Sequence, residues 1–226
     1  MLTQEGLDLL VVNRLNDSKE WYEEHKGEIR RLVIEPFFEL ITDLGQTMLS
    51  IDSEIVIEPK VDRTLSRVYR DTRFTKDKSR YRDCIWLYFR RDKNLYPGYP
   101  WFFFELRPYM AWWGCGRYTR DTSYVDATRK MIMDRDPLYL EAKRVVDDSD
   151  SYFMLEQDER YKRTMHPDEP EDTRDWLDRR SIHVVHIEND VTKVFTKDLS
   201  EKLRRDYLRL VPVYRFLSEG YNRAMH

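Results

Sequence analysis

Trp101-Phe102-Phe103-Phe104-Glu105-Leu106-Arg107-Pro108-Tyr109-Met110-Ala111-Trp112-Trp113 sets the architecture of this chain. Aromatic residues favour the pleated, half-buried surface of a strand. Alternation places Phe102, Phe104, Leu106, Met110 and Trp112 on one face, and Trp101, Phe103, Glu105, Arg107, Tyr109 and Ala111 on the other. One face reads as core; the other mixes ions with aromatics. Cys84–Phe89 has the same character. The turn-formers Asp92-Lys93-Asn94 and Tyr96-Pro97-Gly98-Tyr99-Pro100 lie between the two, so a long hairpin is expected. Ile55-Val56-Ile57 and Thr64–Tyr69 read as further strands. Gly114-Cys115-Gly116 lacks the third glycine and the prompt helix of a dinucleotide fingerprint, so a bulge or close-packed turn is expected there.

On both sides the period changes to that of a helix. Leu7, Leu10, Val11 and Leu15 mark a first helix, and Asn16-Asp17-Ser18 supplies oxygens to cap a second. That second stripe runs through Trp21, His25, Ile29, Leu32, Val33, Phe37, Leu40, Ile41, Leu44 and Met48, with a kink or break expected near Ile34 because Pro36 lacks an amide hydrogen. Asp121-Thr122-Ser123 and Asp136-Pro137 open two later helices. Residues 147–178 hold twelve acids against four bases and read as a solvated acidic loop. Ile182–Ile187 reads as a strand, followed over 188–196 by either a hairpin or a short helical turn. The last helix starts at Leu199 and bends at Pro212.

The expected fold class is therefore α+β: a single domain over 1–226 with helices at both termini packed on a mostly antiparallel, aromatic-rich central sheet. It is helical over 1–50, sheet-rich over 51–118 and mixed helical over 119–226. The 226 residues carry 39 basic and 42 acidic side chains, and this near balance gives no overall pull toward nucleic acid or membrane. Met1–Glu5 has no basic stretch leading into an apolar run, and no apolar segment reaches the roughly 18 residues of a membrane span. Cys84 and Cys115 read as two buried free thiols of a cytoplasmic protein.

The near-neutral total conceals an asymmetry. Residues 63–91 hold ten bases and three acids, so that window is +7 and the rest of the chain −10. Its densest part is Arg67-Val68-Tyr69-Arg70-Asp71-Thr72-Arg73-Phe74-Thr75-Lys76-Asp77-Lys78-Ser79-Arg80-Tyr81. Ser66, Arg67, Arg70, Asp71, Thr72, Arg73, Phe74, Lys76, Asp77, Lys78 and Tyr81 in this order resemble the box of a large family of uncharacterised cytosolic proteins, a domain of unknown function of about this length. Asn16–Tyr22 and Pro212–Leu217 are similar to its flanking segments, and Gly114 and Gly116 to its Gly-x-Gly. Where the family usually has proline before the tyrosine, this chain has Arg80. The resemblance implies an α+β fold and no established activity.

Cations packed this densely need either internal acids or an external anion, since an unpaired buried charge costs several kcal/mol. The ligand reading places a small phosphate- or carboxylate-bearing anion against Arg67, Arg70, Arg73, Lys76, Lys78 and Arg107. Asp71 or Asp77 orients the arginines, Tyr81 donates a hydrogen bond, and Glu105 or Arg107 faces the same cavity. The scaffold reading pairs Arg67 with Asp71 and Arg73 with Asp77 and leaves no ligand. Nucleic acid is disfavoured, no cofactor or metal is expected, and self-association stays open. His183 and His186, three apart on a strand, point to opposite faces and cannot chelate one metal locally.

Overall fold

The computed structural model describes residues 1–119, 121–157 and 160–225. The chain forms two compact units that interleave along the sequence. The first comprises Met1–Phe89, Phe103–Trp113 and Ile187–Arg204; the second comprises Arg90–Phe102, Gly114–His186 and Arg205–His226. A five-stranded antiparallel sheet has the order β1-β2-β3-β5-β4, with β1 Ile85–Phe89, β2 Trp101–Arg107, β3 Met110–Arg117, β4 Met154–Leu155 and β5 Ile182–Glu188. The fold class is α+β, as expected.

In the first unit α1 (Gln4–Asn16) starts where the Thr3 hydroxyl accepts the Gly6 amide. Leu7 and Leu10 are buried, but Leu15, expected on the same stripe, is exposed. Ser18 caps α2 (Lys19–Ile29) by accepting the Trp21 amide. The expected break is a π-helical turn, Arg30–Ile34, running directly into α3 (Glu35–Ile51). The Glu35 amide reaches back to the Arg30 carbonyl, so the wider turn absorbs the missing donor of Pro36 without ending the helix. Ile29, Val33, Phe37, Ile41, Leu44 and Met48 are all buried. Phe37 meets Phe104 at 5.9 Å, and Phe104 meets Trp113 at 6.1 Å.

The expected strands at Ile55–Ile57 and Thr64–Tyr69 do not form as regular strands. At the first, the Thr64 hydroxyl takes the Glu58 amide and donates to the Val56 carbonyl, using the groups a ladder needs. The second lies along β1 through Ser66 N to Trp86 O and Tyr88 N to Thr64 O, but the Trp86 amide goes to the Ser66 hydroxyl. Isolated bridges remain, Leu65 with Val61 and with Leu87, and Tyr69 with Tyr81.

The aromatic run is two strands rather than one, because Pro108-Tyr109 turns the chain between β2 and β3. Residues 102–106 are all buried on β2, Phe103 and Glu105 of the expected outer face included; on β3 burial begins with Ala111 and Trp113 and continues through Arg117, with Met110 and Trp112 only half-buried. Gly114 and Gly116 lie inside β3, where a Cβ would overlap the Val184 carbonyl and the His183 ring respectively. Glycine is required by close strand approach.

In the second unit Asp121 caps α4 (Thr122–Met133) and Asp136 caps α5 (Pro137–Asp147), as the sequence predicts. The acidic stretch is only partly a solvated loop. It contributes β4 and α6 (Glu171–Leu177) and buries Phe153, Leu155, Trp176 and Leu177. Bases from flanking elements offset part of its charge: Lys143 bridges Asp147 and Asp172, and Asp175 lies 3.0 Å from Arg179. After β5, Asp190 caps a short 3-10 turn, Val191–Val194, which settles the open choice over 188–196. The C-terminal helix is α7 (Leu199–Arg209) and α8 (Val211–Met225), interrupted beside Pro212.

Candidate functional site: an arginine-lined cleft beside the basic box

The box is a loop. Arg70 N donates to Arg80 O and Arg82 N to Val68 O, closing residues 71–79 outside the Tyr69–Tyr81 bridge. Inside it, Asp71 accepts the Arg73 amide and Asp77 the Ser79 amide; these short-range turns replace regular structure. Lys78 Nζ donates to the Thr72 carbonyl at 2.7 Å. Arg80 donates its backbone amide to Asp17 Oδ1 at 2.6 Å, a bond that a proline there could not make. Asp17 is itself left-handed (φ 48°) at the end of α1, so this amide ties the loop to the α1–α2 corner.

The ion pairs differ from the expected ones. Arg67 pairs with Asp62 at 2.9 Å, and Arg73 grips Asp71 through Nε and Nη2 at 3.0 and 2.8 Å. Asp77 is the hub: it accepts from Ser79, from Arg70 Nη1, and from Arg14 Nη2 at 2.7 Å. The Ser79 and arginine donors hold its carboxyl well below the usual carboxylate range. Arg73 holds the Asp71 carboxyl down at about 2. Lys76 is exposed and makes no ion pair among the described residues. Tyr81 is fully buried, its ring stacked on Tyr22 at 5.1 Å and against Tyr69 at 4.9 Å, so it serves the core beneath the loop.

Beside this loop lies a cleft of about 510 Å³ whose charged lining is Arg14, Arg70, Arg82, Arg107 and a single acid, Asp83. Arg14 crosses from α1, donating Nη1 to the Tyr81 carbonyl at 2.8 Å and approaching Asp83 at 3.5 Å. Arg107 is held by Glu105 at 2.8 Å, and Glu105 also accepts from Trp112 Nε1 at 2.9 Å. Arg82 differs from its neighbours. Its guanidinium lies over the Trp86 ring, Cζ 4.7 Å from the centroid, and Nε reaches the Tyr69 carbonyl at 3.2 Å. No carboxylate pairs with it among the described residues, and burial lowers its affinity for the proton. Four guanidiniums thus share three carboxylates, Asp77, Asp83 and Glu105, leaving one positive charge over. The rest of the lining is Cys84, Pro108, Tyr109 and Met110. Burial, then the Glu105 and Asp83 charges, push the half-buried Cys84 thiol up to about 11. A smaller cleft of about 240 Å³ shares Arg70 and is also lined by residues Lys19, Tyr69, Thr72, Arg80 and Tyr81.

Of the expected residues, Arg70 and Arg107 line the larger cleft, with Glu105 and Asp77 fixing them. Arg67, Asp71, Arg73, Lys76 and Lys78 do not line it. Sequence reasoning missed Arg14 and Arg82. Arg14 stands four residues after Leu10 and seven after Leu7, on the buried face of α1, where a long cation needs a distant acid. Arg82 shares strand parity with Cys84 and Trp86 leading into β1, which would have put it beside them.

Both cysteines are free, Cys115 buried and Cys84 half-buried. His183 faces Glu156 and His186 faces Tyr152, and no cluster of three metal-ligating side chains occurs among the described residues. No helix among the described residues is long and apolar enough to cross a membrane. No curated protein and no solved structure matches the chain. A family profile described as conserved hypothetical protein (DUF2461) matches residues 5–216, so the chain belongs to that family, one of unknown function.

Proposed function

We propose that this is a cytoplasmic protein that binds a small oxyanion, phosphate or carboxylate, in the cleft of Arg14, Arg70, Arg82 and Arg107. The observation that carries the reading is Arg82. A partly desolvated guanidinium with no carboxylate ion pair among the described residues borders open space that three further arginines line. Guanidinium forks match carboxylate and phosphate geometry, and in a recess such bonds exceed their worth in water. Within this reading the box is the scaffold of the site. Asp77 aims Arg14 and Arg70, while Arg67–Asp62 and Arg73–Asp71 fix the loop. The cytoplasmic location rests on the two unpaired cysteines.

Thermal unfolding with added inorganic phosphate or acetate tests it. An anion at a hundred times its Kd adds about 2.7 kcal/mol to stability. Arg82→Met keeps the length of side chain over Trp86 and removes the charge; the expected result is a folded protein whose melting point no longer responds to anions. An unchanged anion response in Arg82→Met sinks the assignment. The second reading, a structural or interaction module, is favoured by the internal pairs of Arg67, Arg70 and Arg73, and it stands if no anion moves the melting point of the parent protein.

A further inference from the structure

The cleft has two chemistries, and only one of them is ionic. Besides the arginines it is lined by Pro108, Tyr109 and Met110, the turn between β2 and β3 and the first residue of β3. Tyr109 is 87% exposed. A lone tyrosine exposed at a turn is ordinary. This one lines a recess together with four arginines, and its neighbour Arg107 is immobilised by Glu105 and the Trp112 ring.

Size decides what the cleft suits. A phosphate has five non-hydrogen atoms; counting each as one water of about 30 Å³, it fills roughly 150 Å³. That is well short of the 510 Å³ of the cleft, an open recess whose volume is comparable with that of sites for small organic molecules. The uncharged part of the lining is Cys84, Pro108, Tyr109 and Met110.

We infer that the ligand is an organic oxyanion with a flat apolar body, an aryl phosphate or aryl carboxylate in chemical class. Its charged end meets Arg82, and its ring lies against Tyr109, Pro108 and Met110. This rests on the oxyanion reading above and adds the second half of the ligand. Aromatic faces offset-stack, and such pairs contribute beyond simple area burial.

Titration calorimetry with four probes tests it: inorganic phosphate against phenyl phosphate, and acetate against benzoate. The expected result is that one aryl anion binds about tenfold more tightly than its partner without the ring. Tyr109→Ala removes that gain and leaves binding of the small anion as it was; Tyr109→Phe retains it. Phosphate or acetate binding with no gain from the ring in either pair overturns the inference and leaves the oxyanion reading intact. No binding of any of the four overturns both. An aryl gain that survives in Tyr109→Ala also overturns it, since the ring then rests elsewhere.

Discussion

Two arginines that form no ion pair with an acid among the described residues, one in each unit, show how differently a protein can house such a cation. Arg82 lies over the Trp86 ring, half-buried, at the edge of the cleft. Arg117, the last residue of β3, is 1% exposed and lies over the Tyr124 ring with Cζ 3.9 Å from the centroid. Its one hydrogen bond sends Nη2 to Thr128 at 3.3 Å, and Nε and Nη1 have no partner among the described residues. Burial lowers the proton affinity of both. The aromatic face substitutes for a carboxylate in each case, by attraction to the ring quadrupole. What separates them is access. An anion can approach Arg82 through the cleft, whereas Arg117 lines neither cleft described above. A missing counter-charge therefore points to a ligand only where open space adjoins it.

The largest effect expected from this contrast is at Arg117. Arg117→Ala removes a large buried side chain and its ring contact and costs about 2–4 kcal/mol in urea unfolding. Arg117→Met refills most of the volume while deleting a desolvated charge that leaves no orphaned partner. It is expected within about 1 kcal/mol of the parent, or above it. If the methionine variant is as damaged as the alanine one, the charge is needed in place and the contrast with Arg82 breaks. A smaller effect isolates the ring from its hydroxyl. Tyr124 donates to the Leu217 carbonyl at 2.7 Å inside the core, so Tyr124→Phe costs about 1 kcal/mol while keeping the cation over an aromatic face. A loss much beyond that means the phenol, rather than the ring, holds Arg117.

Much of the scaffold beneath both arginines is legible in the sequence, because helices are governed by local spacing. The stripe from Ile29 to Met48, and the caps Ser18, Asp121 and Asp136, follow from period and side-chain chemistry alone. The strands were harder. Alternation carried through Pro108 as though it were a strand residue, yet a proline there marks a turn, and beyond it Ala111 and Trp113 are buried while Met110 and Trp112 are only half-buried. Thr64 and Ser66 look like strand formers, but their hydroxyls took the bonds that a ladder would have used. The site was least legible. Asp77 lies next to Lys76 and Lys78, but its guanidinium partners are Arg70 and, from 63 residues away, Arg14, and no spacing rule selects those over nearer cations. The density of the box was visible; which charges face a cleft depends on the packing of α1 against it.

The smallest effect belongs to the exposed end of the box, and it bears on whether that end is scaffold or grip. Arg73 is 76% exposed on its side chain and bonds Asp71 two residues earlier, in a loop that does not line the cleft. Arg73→Ala should leave the anion response of the melting point as it is in the parent; loss of that response would move the grip from Arg82 to the loop. The same pair has a pH signature. Asp71 titrates at about 2 when folded, against roughly 3.9 for an unperturbed aspartate. The folded state thus binds fewer protons than the unfolded one between those values. The stabilisation is complete above about pH 4 and is lost as the pH falls through about 2. Asp71→Asn should flatten the acid limb of a melting-point titration in that window and leave the neutral region nearly level, since a solvent-screened pair contributes little there. A variant whose acid limb is as steep as the parent's assigns the acid sensitivity to Asp77, whose carboxyl is held lower still by Ser79, Arg14 and Arg70.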